Sequence, residues 1–364
     1  MDKSYSDNSN NKELSNKEKK NQRQSKFLES KKIKSHAVEG ETFSHVPVLF
    51  HETVNAVDNL DDTKIVVDGT LGGGGHSAEI ILRFAPKELI GIDQDLSAID
   101  SASKRIAELQ NTNFAPPRPK AVFTPVHSNF SNIKNILKNH LGEDGKVDAI
   151  IADLGVSSHQ IDNAERGFSY MQDAPLDMRM DTSKAMATAY DVVNNWTESR
   201  LGEIIREYGE DRWWKKIAGD IVKAREIAPI ETTAQLSKIC VDAVPGAYFR
   251  TGGHPAKRTF QAIRIAVNAE LDALEKFIFD AVDCLYRGGR IAVITFHSLE
   301  DRIVKQAFKK MATDCLCPPK TPMCICGHRA TLDIITRKPI LPSSEEIESN
   351  SRSGSAKLRV AQRI

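Results

Sequence analysis

The run IVVDGTLGGGGHS, residues 65–77, constrains the fold more than any other stretch of the chain. The β-branched residues Ile65 to Val67 favour a strand, Asp68 ends it, and four consecutive glycines, Gly72 to Gly75, lead into a helix start. Glycines in this position let backbone N–H groups approach a ligand closely and leave the helix N-terminus open to it. A merely tight turn is the weaker explanation, because four glycines in a row are costly to order. Loops of this kind serve NAD, FAD and S-adenosylmethionine alike, so the motif points to a nucleotide-type ligand without choosing the chemistry.

Around this loop, short apolar runs alternate with helical stretches, the pattern of a parallel sheet with crossover helices. Strands are expected at Ile65 to Val67, Leu89 to Ile92, Val147 to Ala152 and Arg290 to Thr295, and late ones at Leu332 to Thr336 and Lys357 to Val360. Between about residues 160 and 265 strand signals stop, and helical spacing appears in Leu201 to Tyr208 and Trp213 to Ile227. Phe260 to Leu285 keeps one apolar spacing until Gly288 and Gly289, which reads as a single helix ended by the glycine pair. The expected class is therefore α/β: a doubly wound, Rossmann-like sheet with an inserted helical substrate-recognition domain. Residues 1–40 form a tail, 41–160 and 266–364 the two parts of the core, and 161–265 the insertion. The tail is rich in Lys, Asn, Ser and Glu and too poor in apolar residues to offset its ordering entropy.

Lys+Arg 50 against Asp+Glu 49 gives a net charge of +1, so nucleic-acid binding requires a local basic face. No apolar run approaches the roughly 20 residues that span a bilayer, and the N-terminal region has no signal-type apolar stretch. A soluble cytoplasmic protein without a membrane partner is the expectation.

Two further strand ends carry carboxylates. In LIGIDQDL, Asp93 stands 25 positions after Asp68, where an acid accepts both ribose hydroxyls of an adenosine cofactor. The competing role is a helix N-cap, which Asp95 fits better. In VDAIIADLGVSS, Asp153 ends an apolar strand. A carboxylate there is able to accept the hydrogens of an exocyclic amine and so restrain delocalisation of its lone pair; a cap or cofactor contact is the alternative.

Together HVPVLFHETV, DGTLGGGGHS, GIDQD, SNFSN, ADLGVSSHQIDNAERGFSYMQDAPLDMRMD, HPAKRTFQAIRIAVNAEL and GGRIAVITFHSLEDRIVK resemble the bacterial ribosomal RNA small-subunit methyltransferase H family, also called MraW. The resemblance runs from about residue 44 to the C-terminus. It implies a class I methyltransferase that uses S-adenosyl-L-methionine to methylate N4 of a cytidine near the P site of 16S rRNA, with the small ribosomal subunit as partner. It also implies cofactor contact through Gly74, Gly75 and His76, Asp93 at the ribose, Phe130 against the adenine, and Asp153 and Gln160 nearer the methyl. Read from the residues alone, Phe130 suits an adenine face but also a core, and His76 suits a polar contact to the turn. Two departures stand out: His159 where relatives carry Pro, and NSRSGSAKLRV in place of an NPRARSAKLRV-like run. Whether the protein forms a homodimer stays open.

Other residues invite assignment. Arg250, His254, Lys257, Arg258 and Arg264, with Tyr248 and Phe249, mix phosphate-pairing cations with stacking surfaces and read as an RNA face, the alternative being a solvated one. Arg166, Phe168 and Arg179 lie just after the Asp153 loop, within reach of a splayed base. Trp213 and Trp214 read as core. His297, Ser298 and Glu300 lack the G-x-S-x-G elbow of a hydrolase and read as site wall, with Asp301 capping the following helix. Cys315, Cys317, Cys324 and Cys326 form C-x-C-x6-C-x-C. Four such thiolates are able to hold zinc, yet the pairs are tighter than the common C-x2-C knuckle, so no metal is assigned. With no cysteine in the Asp153 loop, methyl transfer is expected to be direct and the base unstacked beforehand.

Overall fold

The computed structural model describes residues 47–364 apart from 113–119, 158–159, 162, 247–252, 319–320 and 322. The expected tail, His159, Tyr248, Phe249 and Arg250 lie outside the described residues.

After α1 (Phe50–Ala56), the glycine loop joins β1 (Ile65–Asp68) to α2 (Gly75–Phe84), and the chain continues through β2 (Glu88–Asp93), α3 (Leu96–Asn111), β3 (Val122–His127), α4 (Ile133–Leu141) and β4 (Val147–Asp153). The helical stretch follows, with α5 (Ala189–Asn195), α6 (Glu198–Glu207), α7 (Trp214–Ile227), α8 (Thr233–Ala243) and α9 (Ala256–Asn268). Then α10 (Glu270–Asp283) leads to β5 (Leu285–Thr295), α11 (Ser298–Met311), β6 (Leu332–Ile334), α12 (Ser344–Ser349) and β7 (Lys357–Arg363). The seven strands run in the order β3-β2-β1-β4-β5-β7-β6. The first five are mutually parallel, and β7 runs antiparallel to both β5 and β6. The strand order reverses between β1 and β4, which makes the crevice beyond their carboxyl ends the natural ligand site of this sheet. Among the described residues no helix is long and apolar enough to cross a membrane.

Apolar residues fill both faces of the sheet, as parallel strands require. One face packs Val67, Ile90, Ile150 and Val293 against α4, α10 and α11 through Leu137, Phe277, Ile278 and Phe308. The other packs Val66, Leu89, Ile151 and Ile294 against Val54, Ile80 and Ile106 of α1, α2 and α3. The helices from α5 to α9 build a third cluster, with Leu201, Ile205, Ile217, Ile221, Leu236 and Ile263 at its centre. Capping boxes start two of them, Thr188 with Asp191 for α5 and Thr232 with Gln235 for α8. Trp213 and Trp214 pack half-buried on this cluster, Trp214 seated on Gly202.

Four expectations change. β3 carried no recognisable strand signal, because it is an edge strand with Val122 exposed and Pro125 within it. The stretch from Phe260 to Leu285 is two helices, since Ala269 takes φ 48 and breaks the ladder between α9 and α10. Gly288 and Gly289 do not stop a helix: α10 ends at Asp283 and the glycines lie inside β5, where pairing with β4 shifts register between Val147 and Ala149. Asp301 does not cap α11. His297 is the N-cap, and Asp301 accepts from Arg359 and Lys357 on β7 instead.

Phe277 is fully buried, lies under Gly69 and meets the Phe130 ring edge-on at 5.0 Å. Its replacement by Ala should lower unfolding free energy by about 3–5 kcal/mol, read from urea denaturation, because both the transfer energy and the packing around the void are lost.

Candidate functional site

Beyond the carboxyl ends of β1, β2 and β4 the chain encloses a cleft of about 1090 Å³. Gly75, His76, Asp93, Phe130, Asp153 and Gln160 all line it. Gly74 lies behind: a Cβ there would come within 2.9 Å of the Ala102 Cβ, and its φ of 72 suits glycine, so it brings α2 close to α3. Gly75 is held bare by Pro47, whose Cγ would lie 2.4 Å from a Cβ.

The loop is fixed from below by Asp68, only 2% exposed. Its Oδ1 accepts from the Thr70 N–H at 3.2 Å and its Oδ2 from the Ser77 hydroxyl at 2.6 Å, so one carboxyl holds both ends of the glycine turn. Burial pushes this carboxyl up to about 6 against those two hydrogen bonds. Nothing in the sequence singled out Asp68 for more than the strand end; the available signal was Ser77, nine positions on.

Asp93 accepts from the Gly72 N–H at 2.8 Å and the Asp95 N–H at 2.9 Å. Two carboxylate oxygens offer about four lone-pair directions, so acceptor capacity remains toward the cleft. Burial raises this carboxyl above its ordinary value, opposed by the same N–H groups. Asp95 caps α3 through the Ser97 N–H, as expected, and also accepts from the Gln160 side chain at 3.0 Å and Arg166 at 2.7 Å. Gln160 is thereby tied into a buried polar node, its Oε1 accepting from the Ser157 N–H. Although burial raises it, the Ser97, Gln160 and Arg166 hydrogen bonds hold Asp95 below the usual carboxylate range.

Asp153 differs from these acids. Its backbone N–H donates to Thr70 at 2.6 Å, and 28% of its side chain faces the cleft. Yet Oδ1 is enclosed without a hydrogen-bond partner among the described residues. Burial first, then the negative charges of Asp68 and Glu300, raise its carboxyl well above the ordinary value. His76 approaches it at 3.8 Å from Nδ1 to Oδ2. Burial pushes the His76 imidazole down to about 4 against the Val48 backbone, so it stands neutral at pH 7. The cleft floor therefore holds two enclosed polar atoms without partners among the described residues, Asp153 Oδ1 and His76 Nε2, the condition of a site built for a bound group.

Further wall comes from α9, α10 and α11 and from Asn350, Ser351, Arg352 and Ser355 ahead of β7. Burial raises Glu300, but the His297 contact, the Phe296 N–H and the Arg264 charge outweigh it and leave the carboxyl below its usual value. Arg264, expected on an RNA face, is instead paired with Glu270 at 2.8 Å and largely enclosed, because an isolated cation cannot be left in that wall. Arg258 donates to the Glu210 carbonyl, and Arg179 pairs with Asp177 at 2.7 Å. Lys257 lines the cleft, His254 stacks on Tyr170 with centroids 4.7 Å apart, and Phe168 and Tyr170 line the mouth.

The family model described as the MraW methylase family matches residues 42–364, the whole of this sheet, its cleft and the helical stretch. The chain belongs to that family. Its relatives include a protein of Clostridioides difficile (strain 630) named "Ribosomal RNA small subunit methyltransferase H", 54% identical over 88% of this chain and 99% of that protein. A protein of the same name from Clostridium botulinum (strain 657 / Type Ba4) is 52% identical with the same coverage, and one from Brevibacillus brevis is 50% identical over 89% of this chain and 99% of its own. Among solved structures, an rRNA methylase from Streptococcus thermophilus aligns with 88% of this chain and 99% of its own at 12% identity and TM-score 0.39, too distant to carry an argument.

The buried imidazole has a consequence for acid stability. With His76 at about 4 in the folded chain against an ordinary 6.5, the unfolded chain takes up this proton first, so its share of stability falls as pH drops from about 6.5 to about 4. Asp68, raised from 3.8 to about 6, works oppositely and favours the folded state toward low pH. In His76→Gln only the first contribution disappears. The variant's urea midpoint relative to that of the unaltered protein should therefore rise between pH 7 and pH 4; a constant difference would show that His76 is not buried neutral.

Proposed function

We propose that this protein transfers the methyl group of S-adenosyl-L-methionine to N4 of a cytidine in 16S rRNA near the ribosomal P site, acting on RNA of the small subunit. The reading rests on family membership and on the names of relatives about half identical over nearly their whole length. The observation that carries the chemistry is Asp153: a strand-end carboxyl facing the glycine loop across the switch point, with Oδ1 enclosed and unpartnered among the described residues, and raised in proton affinity.

The residues present fit this cofactor. Gly75 and His76 line the loop side, Asp93 has acceptor capacity for a ribose, and Phe130 lines the cleft with its edge braced on Phe277. When bound, S-adenosyl-L-methionine supplies a methyl group on a cationic sulfur. Asp68, Asp153 and Glu300 stand together at the floor and favour a cation there over an anion.

Cytosine's exocyclic amine is a poor nucleophile because its lone pair is delocalised into the ring. Asp153 accepting an amine hydrogen restrains that delocalisation and holds the nitrogen in line for attack. With the cofactor bound, formation of the C–N bond would be matched by cleavage of the methyl–sulfur bond, its electron pair leaving with the sulfur. The amine then sheds a proton, and Asp153, with its raised proton affinity, takes it. Phe168 and Tyr170 at the mouth offer aromatic surface to an unstacked base, and Lys257 a cation for a phosphate. The helical stretch is proposed as the RNA-recognising part, with its basic contribution narrowed by the internal pairing of Arg264 and Arg179.

The deciding experiment uses labelled S-adenosyl-L-methionine and small ribosomal subunits lacking the modification, with nuclease digestion of the product. N4-methylated cytidine is expected; label on another base or on protein would discard the substrate assignment. Asp153→Ala should reduce single-turnover transfer at saturating cofactor by on the order of 10²–10⁴-fold, the usual worth of a positioned proton acceptor. Asp93→Ala should instead weaken cofactor binding about 10–100-fold in calorimetry, from loss of hydrogen bonds to a charged acceptor.

A further inference from the structure

Some 20 residues separate α11 from β6, and among the described residues of this loop no large apolar side chain is buried. Its large apolar side chains point outward, Met323 being 76% and Ile325 84% exposed, with Leu316 exposed as well. The base is anchored by the Thr331 N–H to the Met311 carbonyl at 2.7 Å and by a His328 contact to the Lys310 carbonyl at 3.0 Å. What meets at the centre is sulfur. Cys315 lies 3.5 Å from Cys324 and 3.8 Å from Cys326, and Cys324 lies 3.6 Å from Cys326, measured between Sγ atoms. Cys317 completes the group, all four sulfurs lying within 4.8 Å of one another.

These separations fit one tetrahedral ion. With Zn–S bonds of about 2.3 Å, the edges of a ZnS4 tetrahedron measure about 3.8 Å. A disulfide requires about 2.05 Å, and all four cysteines are free thiols. The backbone supports the same reading. The Leu316 N–H, inside the first C-x-C, points to Cys326 Sγ at 3.4 Å, and the Ile325 N–H, inside the second, points to Cys317 Sγ at 3.4 Å. Each pair thus donates to a sulfur of the other, the outer-shell arrangement that steadies metal-bound thiolates.

We infer that Cys315, Cys317, Cys324 and Cys326 form a structural zinc site that closes the α11–β6 loop. Soft thiolates in a tetrahedral set select zinc among common divalent ions, and four protein ligands leave no open position for chemistry. Glu300 lines the cleft from the first turn of α11 and the sulfurs follow its last, about 20 Å away for a helix of this length. The ion therefore acts on the loop and takes no part in methyl transfer.

The test uses the full chain, purified under reducing conditions without chelator or immobilised-metal column. Elemental analysis should find one equivalent of zinc, released by a mercurial thiol reagent. After zinc removal, Co(II) should give the intense visible bands of tetrahedral thiolate coordination, and these should be lost in Cys315→Ser/Cys324→Ser. Absence of zinc on isolation together with absence of the Co(II) spectrum in the unaltered, reduced chain would overturn the site, as would iron in place of zinc or a mass showing the cysteines joined in disulfides. Because no readout depends on methyl transfer, failure here and failure of the proposed activity are separable.

Discussion

Asp68 closes the glycine turn by accepting at once from the Thr70 N–H and the Ser77 hydroxyl, and the site depends on that buried contact. A carboxyl 2% exposed is costly to place, and burial pushes it up to about 6 even with both donors present. In return the strand end, the loop and the first turn of α2 become one rigid unit, with Gly72 held to Asp93 on the neighbouring strand. Everything that lines the cleft from this side takes its position from that unit.

A second acid organises the opposite wall. Asp95 gathers the α3 N-terminus, Gln160 and Arg166, and Arg166 in turn donates to the carbonyls of Arg179 and Met180. Asn268 at the end of α9 accepts from the Met180 N–H and donates to the Met178 carbonyl. The segment between β4 and the helical stretch, which has little regular structure of its own, is thus fastened by buried polar contacts to both the sheet and α9. Buried networks of this kind favour one geometry, and breaking one member leaves the others buried without partners. Asp153 differs from Asp68, Asp93 and Asp95 in that one of its carboxyl oxygens, at the cleft floor, has no hydrogen-bond partner among the described residues.

Much of the architecture was legible in the residues. β-branched runs marked the buried parallel strands, and Asp95 announced itself as a cap by preceding Ser97 at a helix start. The errors have physical causes. β3 lies at the sheet edge, where one side of the strand needs no apolar residues, so its pattern was weak. The apolar spacing runs on from α9 to α10 although α9 buries Phe260, Ile263 and Val267 in the helical cluster and α10 buries Leu274, Phe277 and Ile278 against the sheet, because periodicity does not report a single residue at positive φ such as Ala269. Gly288 and Gly289 looked like a helix stop, yet Asp283 had already ended α10 and the glycines serve a bulge in β5. Arg264 read as a surface cation because its partner, Glu270, lies across that same break.

The sequence by itself determined the alternation of buried parallel strands with helices, the glycine loop and the acids at three strand ends. β-branching, capping and glycine freedom act within a few residues and leave local marks. Only the tertiary structure decided which charged groups are already paired and which carboxyl gains proton affinity. Arg166 meets Asp95 across 71 positions and Thr70 meets Asp153 across 83, separations that carry no periodic signal. Proton affinity depends on burial and on charges brought together by the fold, so Asp68, Asp95 and Asp153, three similar letters in the chain, become three different groups in the molecule.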